Sequence, residues 1–373
     1  MNSSPRVLLL ATEAYGCRGG IATFNRNLCQ ALTAAPVAAR VTVVPRRLDE
    51  ALAEGALPPA VTQMTAATGG GLRFWVEAIR AARRGGPVDL ILCGHLYLLP
   101  TAVLLRALTR APMAVVLYGI EAWQPPRRRL LRGCARRLDH AIAISTLTLE
   151  RFAAWSGHPS SRSTVLPCAV DLSRFTPGPR PAERVAALGL QGRRVLLTLA
   201  RLDASERYKG IDEVLDALVA LRAGSPDLVY LVAGDGSDRP RLEDRARQLG
   251  LQDAVRFLGY VPEADKVDLY RLADAFVMPG RGEGFGIVYL EAMACGIPVV
   301  ASRADASQEA VRGGLLGELA DPADTASVRE AIRRALARPR GVRPDGLEVF
   351  TLSAFTERVQ ALLAALLKGA GQD

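Results

Sequence analysis

The sequence predicts two α/β domains in tandem, each built on a parallel sheet with helices on both faces. Short runs that are apolar throughout, such as Met113–Tyr118 and Leu228–Ala233, alternate with longer amphipathic stretches. This alternation is typical of strands buried on both faces and their crossover helices. It pauses at residues 173–193, where three prolines fall among positions 177 to 181, and then resumes. The 373 residues are enough for two such cores.

The first domain is predicted over residues 1–172. Its first helix, for example, carries Ile21, Phe24, Leu28 and Leu32 on one face. Strands are predicted at 6–11, 41–44, 88–93, 113–118, 140–144 and 164–166, and helices at 19–34, 72–84, 100–109, 127–138 and 146–155.

Residues 173–193 read as an interdomain linker, and the second domain is predicted over 194–352. Its strands are predicted at 194–200, 228–233, 255–258, 276–278 and 299–301, and its helices at 211–223, 239–250, 267–273, 286–295 and 325–337. A final helix at 353–368 lies in the closing segment 353–373. Two doubly wound domains that face each other across a cleft would bind ligands at the carboxyl ends of their strands.

The composition excludes several classes of protein. Hydrophobic residues make up 49% and charged residues 23%, which excludes disorder and low complexity for most of the chain. No apolar run approaches the roughly 18 residues that a membrane span needs. The six cysteines are scattered without a Cys-x-x-Cys pair, so neither a zinc site nor a disulfide framework is expected. We therefore expect a cytoplasmic protein.

The two halves of the chain differ in charge. Residues 1–180 hold 22 arginines and 10 acidic residues, whereas the remainder is mildly acidic. The basic half is suited to an anionic partner such as nucleic acid, an acidic membrane leaflet or a phosphorylated substrate, although a solvated arginine-rich surface would give the same composition.

A glycine-rich loop between a strand and a helix is the most informative segment. Gly282, Gly284 and Gly286 follow the strand at 276–278, and the helix begins near Gly286. The amides of residues 285–287 would form an anion cradle at the helix start, with phosphate as the natural occupant. Glu283 and Glu291 suit the hydroxyl pairs of a sugar, since carboxylates accept paired hydrogen bonds. The alternative is a glycine-rich turn with a solvent-facing glutamate.

Two cations follow the first strand of the second domain. Arg201 directly follows that strand, and Lys209-Gly210 lies at the start of the next helix. A guanidinium fork and an ammonium group would together neutralise a diphosphate, although two exposed surface charges are the simpler alternative. No two aspartates stand two positions apart, so an Asp-x-Asp metal site is absent and no metal is expected.

The chain resembles the glycosyltransferase family 4 enzymes of GT-B fold nearly from end to end. The last of the matching blocks is highly specific. In order, they are Gly19-Gly20, Val165–Asp171 with Phe175, Ala200–Leu202 with Lys209-Gly210, Val232–Gly236, Val255–Val261, and Glu283 with Glu291–Val300.

The resemblance implies a role for each matching residue. Arg201 and Lys209 would bind the diphosphate of a nucleotide-sugar donor, and Glu283 would bind the donor sugar. The remaining donor-binding residues implied are Gly19, Gly20, Phe285, Gly286, Ile287 and, on the ribose, Glu291. The family is thought to retain anomeric configuration, with the leaving phosphate accepting the acceptor's proton, and its closing helix commonly returns to the first domain.

The sequence departs from the family at the acceptor side. Many relatives have a histidine where this chain has Tyr118, three residues before Glu121. Tyrosine, with an ordinary pKa of about 10, is a poor base at neutral pH. His95 follows another strand and either lines the acceptor side or is a local loop histidine.

A basic helix next to Trp123 suits either anionic lipid headgroups or solvent. Nucleic acid fits less well, because no aromatic residues are spaced through this helix for stacking. Its arginines are Arg127, Arg128, Arg129, Arg132, Arg136 and Arg137.

These observations together predict a retaining, metal-independent hexosyltransferase. It would use an NDP-sugar and a glycan or lipid-linked acceptor in polysaccharide or glycolipid synthesis, as a peripheral protein on the inner face of the membrane. The alternatives are a non-catalytic nucleotide-sugar-binding membrane adaptor and a sugar-nucleotide epimerase of the same fold.

Overall fold

The computed structural model describes residues 4–53 and 55–369. The chain forms two compact units, Met1–Ala169 with Leu352–Asp373, and Val170–Thr351. Each unit has one sheet whose strand pairs are all parallel.

The first unit contains a seven-stranded sheet with the order β3-β2-β1-β4-β5-β6-β7. Its strands are β1 (Arg6–Ala11), β2 (Arg40–Pro45), β3 (Val61–Gln63), β4 (Leu90–Gly94), β5 (Met113–Leu117), β6 (His140–Ala143) and β7 (Ser163–Val165). Its first five helices are α1 (Gly20–Thr33), α2 (Gly71–Arg83), α3 (Leu99–Thr109), α4 (Arg129–Ala135) and α5 (Thr146–Ser156).

The second unit contains a six-stranded sheet with the order β10-β9-β8-β11-β12-β13. Its strands are β8 (Arg194–Leu199), β9 (Leu228–Ala233), β10 (Val255–Gly259), β11 (Ala275–Val277), β12 (Val299–Ser302) and β13 (Glu318–Ala320). Its helices are α6 (Ala182–Ala187), α7 (Ile211–Ala223), α8 (Arg239–Gln248), α9 (Lys266–Leu272), α10 (Ile287–Ala294), α11 (Ser307–Ala310) and α12 (Thr325–Ala337).

The last helix, α13 (Leu352–Gly369), packs on α1 in the first unit. The Gln360 side chain donates to the carbonyls of Ala31 and Ala34, at 2.6 and 2.9 Å. The rings of Phe355 and Phe24 meet edge to face with centroids 5.6 Å apart. The closing helix is therefore part of the core of the first unit.

The structure contains short elements that the sequence does not predict. Strands β3 and β13 are only three residues long, lie at sheet edges and include polar residues, so neither gives a continuous apolar run. Helix α4 is shorter than the predicted helix at 127–138, because Arg128 is extended and the helix begins at Arg129.

The segment that the sequence analysis treats as a linker, 173–193, groups with the second unit and contains α6. Arginines of the second unit donate hydrogen bonds to the backbone at the start of this segment. Arg343 donates to the carbonyls of Leu172 and Phe175, and Arg271 donates to the carbonyl of Thr176. The boundary between the two units lies between Ala169 and Val170, whereas the sequence predicts it at residue 172.

Candidate functional site

The candidate site of the second unit lies where its strand order reverses direction. Strand β8 pairs with β9 on one side and with β11 on the other. The loops that follow β8 and β11 therefore begin at adjacent carboxyl ends of the sheet, which form a topological switch point. Open parallel sheets bind ligands at such points.

The loop after β8 packs directly against the loop after β11. It contains a 3₁₀ segment, Ala204–Lys209, and ends at Gly210, whose φ is +85°. A Cβ atom at Gly210 would lie 2.6 Å from the carbonyl carbon of Pro279. Glycine is thus required here both by backbone conformation and by the close approach of the second loop.

Lys209 and Glu283 form an ion pair across these two loops. The Lys209 ammonium lies 2.8 Å from a Glu283 carboxylate oxygen, and each side chain is 17% exposed. Burial alone would lower the pKa of Lys209, but the nearby Glu283 carboxylate outweighs that effect and raises it above its ordinary value. Lys209 is therefore charged at neutral pH, and its charge is matched by Glu283.

Arg201 takes a different place. Its side chain is 67% exposed, and its guanidinium lies 2.9 Å from a carboxylate oxygen of Glu206 in the same loop. The structure thus gives both predicted cations an acidic partner. Glu206 is not among the residues predicted from the sequence, because it stands five residues beyond Arg201 in a polar loop that contains no recognisable motif.

The predicted anion cradle lies at the start of α10. Gly286 precedes the helix with a φ of +88°, and a Cβ atom there would overlap the ring of Tyr289. Phe285 is buried against the ring of Phe350, with centroids 5.6 Å apart. Amides in the first turn of a helix have no acceptor within it, so those near Ile287 are suited to an anion.

Asp305 holds the backbone of Glu283 and was missed by the sequence analysis. This fully buried residue follows β12, and its Oδ2 accepts the Glu283 amide at 2.9 Å. Its Oδ1 accepts the amide and the hydroxyl of Ser307, at 3.0 and 2.6 Å. Burial raises the pKa of Asp305. The sequence signal that could have identified Asp305 is its position, as an acidic residue after β12, the strand that pairs with β11.

Glu291 lies inside α10 and faces α9. Its Oε2 accepts the Tyr270 hydroxyl at 2.6 Å, and its Oε1 lies 3.4 Å from the Lys266 ammonium. Burial raises the pKa of Glu291, and the Lys266 charge opposes that rise. The structure therefore does not bring Glu291 into contact with Glu283, and it gives both carboxylate oxygens partners from α9.

In the first unit, the strand order reverses between β1 and β4. The loop after β1 ends at Gly19, which has a φ of +102°, and Gly20 begins α1. A Cβ atom at either glycine would meet no atom within 4 Å. Gly19 and Gly20 therefore border open space, unlike Gly210 and Gly286 of the second unit.

Three predicted acceptor-side residues lie after β4 and β5. The Tyr118 hydroxyl donates to Asn25 at 2.7 Å, and the Tyr118 amide donates to Glu121 at 2.6 Å. The rings of His95 and Tyr118 have centroids 6.3 Å apart.

Burial controls the titration of these groups. It lowers the pKa of His95 to about 4, raises the pKa of Tyr118 well above its ordinary value and raises the pKa of Glu121. At neutral pH, His95 is therefore neutral and Tyr118 keeps its proton.

The predicted basic helix presents its arginines to solvent. Arg132 donates to the carbonyl of Pro126 at 2.8 Å, which ties α4 to the preceding turn. The exposed set comprises Arg127, Arg128, Arg129, Arg132, Arg136 and Arg137.

Over residues 4–53 and 55–369, no group of three or more histidine, cysteine, aspartate or glutamate residues is placed to hold a metal ion. All six cysteines are free and buried. Among the described helices, none is long and apolar enough to span a bilayer.

Comparison with known proteins extends these observations. Residues 182–344 match the family described as glycosyl transferases group 1, and residues 18–174 match glycosyltransferase family 4. HepE of Anabaena, solved with UDP and glucose, superposes with a TM-score of 0.77 at 22% identity, covering 96% of this chain and 99% of HepE. Sucrose-phosphate synthase of Thermosynechococcus elongatus superposes with a TM-score of 0.73 at 25% identity, covering 99% and 98% of the two chains.

Curated relatives match over different lengths. A GDP-mannose-dependent α-(1-6)-phosphatidylinositol monomannoside mannosyltransferase of Mycolicibacterium smegmatis is 36% identical over 66% of each chain. A D-inositol 3-phosphate glycosyltransferase of Geodermatophilus obscurus is 40% identical, but the match spans only 49% of its length and 57% of this chain. D-inositol 3-phosphate glycosyltransferase 1 of Catenulispora acidiphila is 34% identical over 86% of this chain and 78% of its own. The two family matches, the two-unit parallel-sheet architecture and the long alignment with this last relative agree, and the chain therefore belongs to the group 1 and family 4 glycosyltransferases, enzymes of GT-B fold.

Proposed function

We propose that this protein is a retaining glycosyltransferase that transfers a hexose from a nucleotide diphosphate sugar to an acceptor hydroxyl. The ion pair between Lys209 and Glu283 at the switch point of the second unit carries this proposal. It places an ammonium group suited to phosphate beside a carboxylate suited to sugar hydroxyls. A nucleotide diphosphate sugar has its phosphates next to its sugar hydroxyls, so it would contact Lys209 and Glu283 together.

The leaving diphosphate gains negative charge as the bond to the sugar breaks, and stabilising that charge is the main task of the site. Lys209 would contact the diphosphate, with Arg201 as a second cation once it leaves Glu206. The amides of Phe285, Gly286 and Ile287, at the N-terminus of α10, would bind the same negative charge. Because these groups supply the positive charge, we propose that the reaction needs no metal.

Glu283 would then hold the donor sugar, and Glu291 the ribose. The contact of Asp305 with the Glu283 amide supports this arrangement, since it holds the backbone of the loop that carries Glu283. In the first unit, the open space beside Gly19 and Gly20 would admit the phosphate and sugar.

The acceptor would lie near His95, Tyr118 and Glu121. Tyr118 keeps its proton at neutral pH, because burial raises its pKa, and it is therefore unsuited to act as a base. We propose that it orients the acceptor and that the leaving phosphate accepts the acceptor's proton.

The names of relatives suggest the substrate class. One is GDP-mannose-dependent and acts on a phosphatidylinositol mannoside, and a structural neighbour was solved with UDP-glucose. We propose a glycan or lipid-linked acceptor, in polysaccharide or glycolipid synthesis at the inner face of the cell membrane. The exposed arginines of the basic segment, 127–137, would contact anionic lipid there.

A thermal-shift panel of nucleotide diphosphates and their sugars tests the donor class, because ligands that bind the native state raise the midpoint of unfolding. We expect one diphosphate sugar to stabilise the protein and to be consumed with or without a chelator. Loss of turnover in chelator with rescue by Mg²⁺ would contradict metal independence. Donor binding without transfer or hydrolysis would instead indicate an adaptor, and a changed sugar without any acceptor would indicate an epimerase.

A further inference from the structure

Helix α2 presents apolar side chains to solvent. Leu72, Trp75 and Val76 are 78%, 45% and 38% exposed. Their spacing of three and four residues places them on one face of the helix, and Ile79, one turn further, is partly buried on that face.

The opposite face of α2 is also apolar and fills the core of the first unit. Phe74, Ala78, Ala81 and Ala82 are buried there, packed in the cluster that includes side chains of β4 and α3. The core therefore does not need the outward stripe. Single exposed apolar residues are ordinary on protein surfaces, but a contiguous stripe with a tryptophan indicates an interaction surface.

The charges around this stripe all have one sign. Arg73, Arg80, Arg83 and Arg84 are exposed along α2 and at its end. The single acidic residue of the helix, Glu77, is buried and paired with Arg80. Glu77 offsets only Arg80, so the outward face of α2 combines apolar groups with an excess of positive charge. Its partner must therefore offer apolar surface and negative charge together.

The neighbouring helices continue the positive charge. Helix α2 packs on α3, and α3 packs on α4. An open groove of about 410 Å³ beside α3 is lined in part by Arg110 and Arg137, together with Arg106, whose guanidinium is paired with Asp139 at 2.7 Å. Guanidinium groups spaced over three adjacent helices match the phosphates of a lipid surface, where each cation near the membrane adds attraction.

We propose that α2 is a membrane-docking helix that inserts Leu72, Trp75 and Val76 into the headgroup region of an anionic bilayer. Arginines around the stripe would hold lipid phosphates while their aliphatic stems lie against the apolar groups. Tryptophan is suited to this depth, because it has an apolar body and a polar N–H. This inference assigns the apolar anchor to α2 and leaves the basic segment 127–137 as a source of attraction only.

Two other partners fit less well. A second copy of this chain would bring the arginines of α2 against their own equivalents, and like charges across such an interface oppose association. Nucleic acid would use the guanidinium groups and the Trp75 ring, but Leu72 and Val76 offer no aromatic face on which further bases could stack.

Flotation with vesicles tests the proposal. Vesicles of phosphatidylcholine with about one third phosphatidylglycerol should bind the protein, and pure phosphatidylcholine vesicles should bind it far less. The double variant Leu72→Ser/Trp75→Ser should bind the anionic vesicles about tenfold more weakly or worse. The matched control Leu315→Ser/Val342→Ser removes two exposed apolar residues of the second unit and should bind as the parent does.

Charge and insertion are tested separately. Arg73→Ser and Arg83→Ser should each weaken anionic vesicle binding by about fivefold at low salt and less at high salt. Trp75 should report insertion by a blue shift of its emission, because the indole N–H groups of Trp123 and Trp155 are bonded within the protein, at 3.0 and 2.8 Å. Trp75→Phe should remove that shift even if the double variant fails to fold.

Equal binding of parent and folded double variant would overturn the proposal, as would an emission shift that persists in Trp75→Phe. A dimer that the same substitutions abolish, without vesicle binding, would assign the stripe to a second copy. Binding to an oligonucleotide but not to vesicles would assign the arginines to nucleic acid. Transfer to a soluble acceptor should be unchanged in the double variant, so this test stands apart from the proposed reaction.

Discussion

The two units carry glycine-containing loops at the same position of their sheets, but the glycines that stand at the helix starts have different surroundings. In the second unit, a Cβ atom at Gly210 would meet the Pro279 carbonyl, and one at Gly286 would meet Tyr289. In the first unit, Cβ atoms at Gly19 and Gly20 would meet nothing within 4 Å. Neighbouring atoms therefore exclude a side chain at Gly210 and at Gly286. Gly19 and Gly20 have open space beside them, although the φ of +102° at Gly19 also favours glycine.

This difference indicates how each edge is prepared for a ligand. Tight packing of two loops, an ion pair and the Asp305 contacts hold the candidate site of the second unit in place. The first unit offers a helix start with room around it. Preorganised charge belongs where the leaving group develops charge, since groups already in place need no reorganisation during the reaction.

The largest effect is expected from the ion pair. Lys209→Ala should lower kcat by about a hundredfold or more, because a cation at the leaving group acts mainly in the transition state. Glu283→Gln should lose turnover to a similar extent, because it removes the carboxylate charge and leaves Lys209 unmatched. Steady-state kinetics with the identified donor measure both effects.

Lys368→Ala is the matched control, since Lys368 is exposed near the end of α13. Unchanged turnover in both site variants would remove the second unit's edge from the reaction.

The glycine comparison can be tested directly. Gly210→Ala should lower the free energy of unfolding by about 2–4 kcal/mol, through overlap with Pro279 and a left-handed backbone. Gly20→Ala should leave stability equal or slightly higher, because alanine favours a helix, and should raise the donor KM if donor fills the space there. Urea unfolding and KM measurements separate the two outcomes.

Gly224→Ala at the other end of α7 is the control for Gly210, since it has no neighbour within 4 Å. Equal stability losses in Gly20→Ala and Gly210→Ala would refute the contrast between the units.

Asp305 should act on the reaction through Glu283. Both carboxylate oxygens of Asp305 accept hydrogen bonds, one from the Glu283 amide and one from the Ser307 amide. In Asp305→Asn, the side-chain NH₂ group would replace one of these acceptors and face a backbone N–H. We expect kcat to fall about tenfold to a hundredfold, with a smaller change in KM, because the Glu283 carboxylate, which we propose to contact the donor sugar, would be displaced.

The exposed Asp321 accepts the Ala323 amide at 2.9 Å and provides a control, Asp321→Asn. A loss of stability without any change in kcat would show that Asp305 has only a structural role.

The smallest effect concerns pH in the first unit. The pKa of His95 is lowered by burial from 6.5 to about 4, so the unfolded chain binds the proton first as pH falls. His95 therefore contributes stability above about pH 6.5 that is lost progressively down to about pH 4.

His95→Gln should reduce the loss of unfolding free energy between neutral pH and about pH 5 by on the order of 1–2 kcal/mol. The pKa values of His140 and His158 are lowered by burial as well, and both remain in the variant. An identical pH dependence in parent and variant would contradict the assignment.

Much of the second unit's site could be predicted from sequence, because its parts follow strands directly. Arg201, Lys209 and Glu283 stand after β8 and β11, and parallel strands bring their carboxyl ends to one edge. Asp305 and Glu206 could not be assigned in the same way. Their roles depend on which backbone amide or side chain they contact, and no local pattern encodes those contacts.

The sequence by itself determined the architecture and the sheet edge at which Arg201, Lys209 and Glu283 lie. Strands buried on both faces read as continuous apolar runs, and glycines mark the loops between them. Only the tertiary structure decided which side of α2 faces solvent, that Lys209 and Glu283 form a pair, and that α13 packs on α1. Helix α2 is apolar on both faces, so its periodicity cannot choose between them. The choice depends on which residues fit against β4 and α3, the elements that follow α2 in the chain.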